Sequence, residues 1–150
     1  MDRGLVLYPS DGGTFANVAF QRIRLSSFYP YSDERRDGAA LDLETRNRSG
    51  LSQLRNVTVE DVVVSRVTGA SILKGVAGAK IENIVVRNLT LVMGVPNNRS
   101  SSSSPPFVFE CNGYVEPVPV EGLHLEWGQH RSAWAGLQSR QGCLRQQSQT

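Results

Sequence analysis

One apolar pattern that returns three times constrains the fold of this chain more than any other feature. Each copy reads apolar-x-Asn-apolar-x-apolar-x-x-apolar-x-apolar, and the copies are residues 15–25, 54–64 and 81–91. Their asparagines, Asn17, Asn56 and Asn83, are separated by about 39 and then about 27 residues. An interval of about 27 residues is a plausible circumference for one coil of a β-helix, and the longer interval holds a loop insertion.

The alternation inside each copy predicts a short β-strand. Apolar side chains two residues apart project from the same face of a strand, and the types found here pack well on a pleated surface. The side chains predicted to face the core are Val18, Phe20, Val57, Val59, Ile84 and Val86. Two polar residues follow each strand and predict a corner that meets water, after which a second apolar pair resumes the wall. A further short apolar segment lies upstream of each copy, at residues 5–7, 41–43, 72–73 and 107–109.

The three asparagines lie where the chain bends into each strand. Asparagine tolerates left-handed backbone angles, and its side chain can bond neighbouring backbone groups. Stacked in register, Asn17, Asn56 and Asn83 are expected to form a ladder. A leucine-rich repeat would also give short parallel strands, but it requires L-x-x-L-x-L and a steadier period. An antiparallel sandwich would show hairpin dipeptides between its strands, and few occur here.

The repeat pattern fades towards the C-terminus. A fourth copy begins at Val120, with Gly122 in the place of the asparagine, and the pattern ends past Trp134. We therefore predict a partial β-helix domain over residues 1–137. Residues 138–150 are rich in Gln, Ser and Arg, and this composition predicts a disordered tail. Segments 33–37 and 100–106 are predicted to be loops.

Composition and charge exclude several classes of partner. The apolar share is 39%, and 16 basic and 14 acidic residues are scattered to give a formal charge of +2. No basic stripe indicates nucleic acid, and no apolar run is long enough to span a membrane. The start of the chain lacks the apolar stretch of a secretion signal. The protein is thus expected to be cytosolic, or to be secreted from a longer parent whose N-terminus is missing here.

Neither cysteine nor histidine predicts a metal or cofactor site. Cys111 and Cys143 match no zinc spacing, so they are interpreted as structural or free. His124 and His130 are too far apart in sequence for a helical metal pair, and no nucleophile motif accompanies them. Both histidines are interpreted as structural or exposed. Asn47 and Asn98 lie in predicted loops and are the credible glycosylation sequons if the protein is secreted.

Two stretches near the N-terminus carry a resemblance to a known family. Residues 4–8 and 12–20 are similar to the part of family 28 glycoside hydrolases, the polygalacturonase family, that carries G-x-R-I-K and continues into N-V-x-F-x-N-I. The later copies and residues 71–75 resemble the next coils of that family, so the resemblance covers about residues 4–127. It implies an all-β, right-handed parallel β-helix of the pectin lyase-like type, with about three to four coils.

The same resemblance implies a hydrolase function, and it also shows that the motifs which perform the hydrolysis are missing. Intact relatives cleave pectic polysaccharides with inversion, which needs an acid and a base carboxyl about 6.5–9.5 Å apart. The family motifs N-T-D, D-D and G-H-G do not occur in this sequence, and the Arg and Lys of R-I-K correspond to Val6 and Tyr8. We expect a fragment of such a hydrolase that is inactive alone. The alternative is a non-catalytic β-helix that binds carbohydrate or acts as a scaffold, so enzymatic activity is left open.

Four polar side chains are predicted to face outward beside the stacked strands, namely Asp42, Glu44, Lys74 and Glu110. Glu44 and Glu110 have the residue types of a hydrolytic pair, although a solvated face is the favoured interpretation. Lys74 and Tyr8 are candidate sugar contacts. The predicted substrate-binding set is therefore Tyr8, Glu44, Lys74 and Glu110, with no catalytic residue assigned.

The predicted partners follow from the ends and faces of the stack. A polysaccharide or oligosaccharide is the expected ligand. A solenoid cut between coils exposes unpaired backbone groups, so self-association through the open end is a second expectation. Trp127 and Trp134 are expected to cover the end of the core rather than to stack on sugars.

Overall fold

A computed structural model describes residues 4–26, 38–67, 70–94, 109–127, 130–133 and 143–146. These residues form β-strands joined by turns, with no helix among them. The strands are β1 Leu5–Leu7, β2 Thr14–Ser26, β3 Leu41–Glu44, β4 Gln53–Val67, β5 Ser71–Lys74, β6 Ile81–Met93, β7 Phe109–Cys111, β8 Val118–Trp127, β9 His130–Ala133 and β10 Leu144–Gln146. The predicted all-β class is confirmed.

The strands form two parallel sheets, and the chain alternates between them. The short-strand sheet has the order β1-β3-β5-β7, and the long-strand sheet has the order β10-β8-β6-β4-β2. β9 pairs with β8 in the antiparallel direction. Every short strand is thus followed along the chain by a long one. Parallel neighbours cannot be joined by tight hairpins, and the scarcity of hairpin dipeptides in the sequence agrees with this arrangement.

The three sequence repeats pair in register. Val18 lies beside Val57, and Val57 lies beside Ile84. This register also aligns the asparagines, because each precedes one of these residues. Asn56 Nδ2 donates to Asn17 Oδ1 at 2.9 Å, and Asn83 Nδ2 donates to Asn56 Oδ1 at 2.8 Å. The predicted ladder is confirmed.

The backbone conformation explains why asparagine occupies these positions. Asn17, Asn56 and Asn83 have φ angles of 59°, 55° and 50°, in the left-handed region that most side chains disfavour. Asparagine enters this region more readily than other residues that carry a Cβ. The bend at the start of each repeat is therefore encoded by a single residue type.

A second column of left-handed residues forms the corner within each long strand. The members of this corner column are Arg22, Asp61, Asn88 and Gly122, with φ angles of 53°, 52°, 48° and 71°. The prediction that Gly122 replaces the ladder asparagine was wrong, because the register of β6 and β8 places Gly122 beside Asn88 and not beside Asn83. Asn88 Nδ2 donates to Asp61 Oδ1 at 2.7 Å. The polar corner predicted after each strand is thus present, and it bends the long strand without ending its pairing.

The core is filled by side chains from both sheets. Val57, Val59, Ile84 and Val86 are buried, as the alternation predicts. Burial of one such side chain contributes about 1.5–3 kcal/mol. Their counterparts on β2 are only partly buried, because β2 is the edge strand of the long-strand sheet. The predicted inward direction is right for all three repeats. In the first repeat, however, Val18 and Phe20 are only partly buried, since β2 pairs with β4 on one side only among the described strands.

The C-terminal region differs from the prediction of a disordered tail over residues 138–150. Cys111 and Cys143 form a disulfide, and Leu144–Gln146 pairs with Val118–Val120 as strand β10. Cys143 and Leu144 are buried. Composition alone missed this strand because two buried side chains and one covalent bond order a segment whose other residues are polar. The structural interpretation of the cysteines is confirmed.

Several predictions fall on residues outside the described set. They include the loops at residues 33–37 and 100–106, the tail apart from residues 143–146, Trp134 and Asn98. Asn47 is described and is exposed. His124 lies on β8 and is half-buried.

Candidate functional site

The outer face of the short-strand sheet brings the predicted site residues together. Parallel register aligns Val6 with Asp42, Asp42 with Ile72, and Ile72 with Glu110. A neighbouring row contains Glu44 beside Lys74. Tyr8 directly follows β1. Residues from four separate segments of sequence therefore meet on one sheet.

Burial corrects the prediction for two of these residues. Asp42 is 0% exposed and Glu44 is 5% exposed, so neither lies on a solvated face. The alternation of β3 indicated their direction correctly, but a parallel sheet is commonly covered on both faces. Ile72, in the same row as Asp42, is buried as well. The prediction of outward, solvated carboxylates was wrong for Asp42 and Glu44.

Lys74 and Glu110 remain accessible and form an ion pair. Lys74 Nζ lies 2.8 Å from Glu110 Oε1, and the two side chains are 35% and 47% exposed. An exposed pair of this kind contributes at most about 1 kcal/mol to stability. The pair therefore matters mainly for what it presents at the surface, which is one ammonium donor beside one carboxylate acceptor.

Tyr8 is less available than its sequence position suggested. The guanidinium carbon of Arg46 lies 4.0 Å from the centre of the Tyr8 ring. One face of the ring is thus covered by a cation, an arrangement that is favourable by about 0.5–1 kcal/mol or more. The Tyr8 hydroxyl is buried and has no hydrogen-bond partner among the described residues.

The carboxylates Glu44 and Glu110 do not form an open catalytic pair. Glu44 lies on β3 and Glu110 on β7, with β5 between them. Since neighbouring strands are about 4.8 Å apart, the two backbones are separated by about 10 Å across the sheet. Glu44 is buried, and Glu110 is held by Lys74 on the strand between them. The carboxyl groups of Glu44 and Glu110 therefore do not face one accessible cleft.

A second candidate site lies on the outer face of the long-strand sheet, where sequence reasoning had placed none. An open groove of about 440 Å³ crosses three neighbouring strands. Its lining residues are Arg22, Arg24, Asp61, Val63, Asn88 and Thr90. We call it the arginine groove. The signal that could have identified it is Arg22, which occupies a corner position that the other repeats give to Asp, Asn or Gly.

The described part of the chain contains no group of three or more His, Cys, Asp or Glu side chains placed to hold a metal ion. Among these same residues, no helix has the length and hydropathy needed to cross a membrane.

Comparison of this chain with protein-family models, curated proteins and solved structures found no match. The resemblance to family 28 glycoside hydrolases therefore stays a prediction from the sequence motifs.

Proposed function

We propose that this chain is part of a right-handed parallel β-helix of the polygalacturonase-like type, and that it forms a non-catalytic, polysaccharide-binding wall. The in-register asparagine ladder is the observation that carries the architectural part of the proposal, because it joins three repeats at equivalent bends. Right-handedness is supported by the general rule for parallel strands joined by crossovers, which are right-handed in about 98% of cases.

The non-catalytic part of the proposal is supported by the two glutamates. Inverting hydrolysis needs one carboxyl to protonate the leaving oxygen and another to activate water on the opposite side of the sugar. Glu44 is buried, and Glu110 is paired with Lys74. The absence of the N-T-D, D-D and G-H-G motifs from the sequence supports the same conclusion.

The exposed Lys74–Glu110 pair is the proposed sugar contact of this wall. The Lys74 ammonium can donate to a ring hydroxyl while the Glu110 carboxylate accepts from the next one. Hydrogen bonds with one charged partner are stronger than neutral ones. Binding through hydroxyl groups in this way does not require a charged sugar at the short-strand sheet.

The test measures hydrolysis and binding separately. We expect no release of reducing sugar when the 150-residue chain is incubated with polygalacturonan. In affinity electrophoresis we expect the polysaccharide to retard the chain, and Lys74→Ala to reduce this retardation. Lys80→Ala is the control, because Lys80 is an exposed lysine elsewhere on the chain. It should leave the retardation unaltered. Turnover that is abolished by Glu44→Gln or Glu110→Gln would overturn the non-catalytic assignment.

A scaffold function is the second candidate, and it is favoured by β2, an edge strand whose outer side pairs with no other strand in the described part of the chain. Phe15 is 42% exposed, whereas its neighbours in the same row, Leu54 and Ile81, are fully buried. Edge strands with exposed apolar side chains and unpaired backbone groups readily pair with other chains. Self-association through this edge is therefore part of the proposal.

A further inference from the structure

The arginine groove contains two guanidinium groups that have no ion-pair partner among the described residues. Arg22 and Arg24 both line it, and neither forms an ion pair or hydrogen bond within the described part of the chain. Arg87 and Arg46 behave differently, since Arg87 lies 4.0 Å from a Glu60 carboxylate oxygen and Arg46 stacks on a tyrosine ring. Two guanidinium groups in one groove present several donors to an incoming anion.

Arg22 occupies a backbone position that does not suit arginine. Its φ is 53°, and the residues stacked in the same corner column are Asp61, Asn88 and Gly122. A left-handed conformation costs about 1–2 kcal/mol for a residue other than Gly, Asn or Asp. Arg66 also has a positive φ, but it lies near the register shift at the end of β4 and does not line the groove. Strained residues of this kind cluster at binding sites.

The remaining lining residues restrict the class of ligand. Asp61 would repel a bare anion, yet its carboxylate can accept a hydrogen bond from a hydroxyl group. Asn88 uses its Nδ2 to donate to Asp61, which leaves its Oδ1 as an acceptor. Thr90 adds a hydroxyl. The groove therefore offers cationic donors next to neutral and anionic acceptors.

We propose that the arginine groove binds a sugar unit that carries an oxyanion, either a carboxylate or a sulfate ester. Arg22 and Arg24 hold the oxyanion, while Asp61 and the Asn88 carbonyl accept from ring hydroxyls. The choice of a sugar as ligand rests on the proposed function, but the site does not involve Lys74 or Glu110. The two proposals can consequently fail separately.

The binding test uses isothermal titration of the 150-residue chain. The ligands are trigalacturonate, a sulfated galactotriose, neutral galactotriose and inorganic sulfate. We expect trigalacturonate, the sulfated galactotriose or both to bind. Neutral galactotriose and inorganic sulfate should bind at least about tenfold more weakly, and Arg24→Gln should weaken binding of the anionic sugar about tenfold. Arg55→Gln is the matched control, because Arg55 is exposed on β4 and does not line the groove. The stronger of the two anionic sugars identifies the oxyanion.

Arg22→Asn separates a binding role from a structural one. Asparagine suits the left-handed corner better, so we expect the melting temperature to rise by roughly 2–4 °C while affinity for the anionic sugar falls. A purely structural arginine would not give these opposite changes. Unchanged binding in both Arg22→Asn and Arg24→Gln would overturn the proposal. Equal binding of neutral galactotriose or of inorganic sulfate that persists in Lys74→Ala would also overturn it, because Lys74 belongs to the other site. Loss of binding in Lys74→Ala with no effect of Arg24→Gln would overturn this site and leave the proposed function intact.

Discussion

Asn56 donates through Nδ2 to Asn17 Oδ1 at 2.9 Å while its own Oδ1 accepts from Asn83 at 2.8 Å. The ladder thus runs in one direction, with each amide donating to the asparagine of the preceding repeat. Asn56 is the only one of these three residues that makes both bonds. It therefore connects the first and third repeats through its side chain as well as through the sheet.

We predict that Asn56→Ala lowers the free energy of unfolding by about 3–4 kcal/mol. It removes two hydrogen bonds of about 1 kcal/mol each and places alanine in a left-handed conformation. Asn56→Gly should be less harmful, because glycine restores the backbone freedom but not the bonds. Urea unfolding measures both changes. Asn47→Ala, at an exposed position outside the ladder, is the control, and an equal loss there would contradict the prediction.

The open edge at β2 predicts concentration-dependent self-association. Val18 faces the incompletely closed core, whereas Ala19 projects from the opposite face of the same strand. A lysine at position 18 places a charge where a second chain would pack, so Val18→Lys should give a monomer in sedimentation experiments. Ala19→Lys adds the same charge to the outer face and should associate like the unmodified chain. A monomeric unmodified chain at every concentration would contradict the prediction.

The disulfide should stabilise the C-terminal end of the stack. Cys111 and Cys143 are separated by 32 residues, and a closed loop of this length stabilises by about 3–4 kcal/mol in the chain-entropy account. Reduction, or Cys143→Ser, should therefore lower the melting temperature and speed amide exchange in Leu144–Gln146. Amide exchange in β4, at the centre of the long-strand sheet, should change less. Equal protection of β10 before and after reduction would contradict this.

Gly75 is predicted to be required for the short-strand sheet. A Cβ at this position would collide with the backbone carbonyl of Tyr114, and Asn112 bonds both the N–H and the carbonyl of Gly75. Gly75→Ala should lower stability by about 2 kcal/mol, since the neighbour is backbone and cannot turn aside. Gly113→Ala is the matched control, because an added Cβ there meets nothing. Thermal unfolding of the two variants gives the comparison.

Local periodicity predicted those parts of the structure that depend on direction and register. Val18, Val57 and Ile84 could be aligned from sequence because a two-residue alternation fixes the face of each side chain, and the asparagines mark equivalent bends. Burial of Glu44 could not be predicted in this way. Alternation shows that its side chain leaves the core side of the sheet, but not whether other parts of the chain cover the outer face.

The arginine groove and the last strand were missed because both depend on contacts between residues far apart in sequence. Arg22, Asp61 and Asn88 become neighbours only after the repeats are placed in register, so no short motif contains them. Leu144–Gln146 lies in a polar segment whose order depends on a distant cysteine. Long-range contacts thus decided both features, while the repeats themselves were determined locally.

The most direct test of the stacked arrangement of the repeats is the pattern of nuclear Overhauser contacts among the asparagine side chains and between their strands. We predict contacts from the Asn56 side-chain amide to Asn17, from the Asn83 amide to Asn56, and parallel contacts between β4 and β6. Absence of the amide contacts, or short Hα–Hα contacts typical of antiparallel pairing between β4 and β6, would contradict the stacked arrangement on which the binding faces depend.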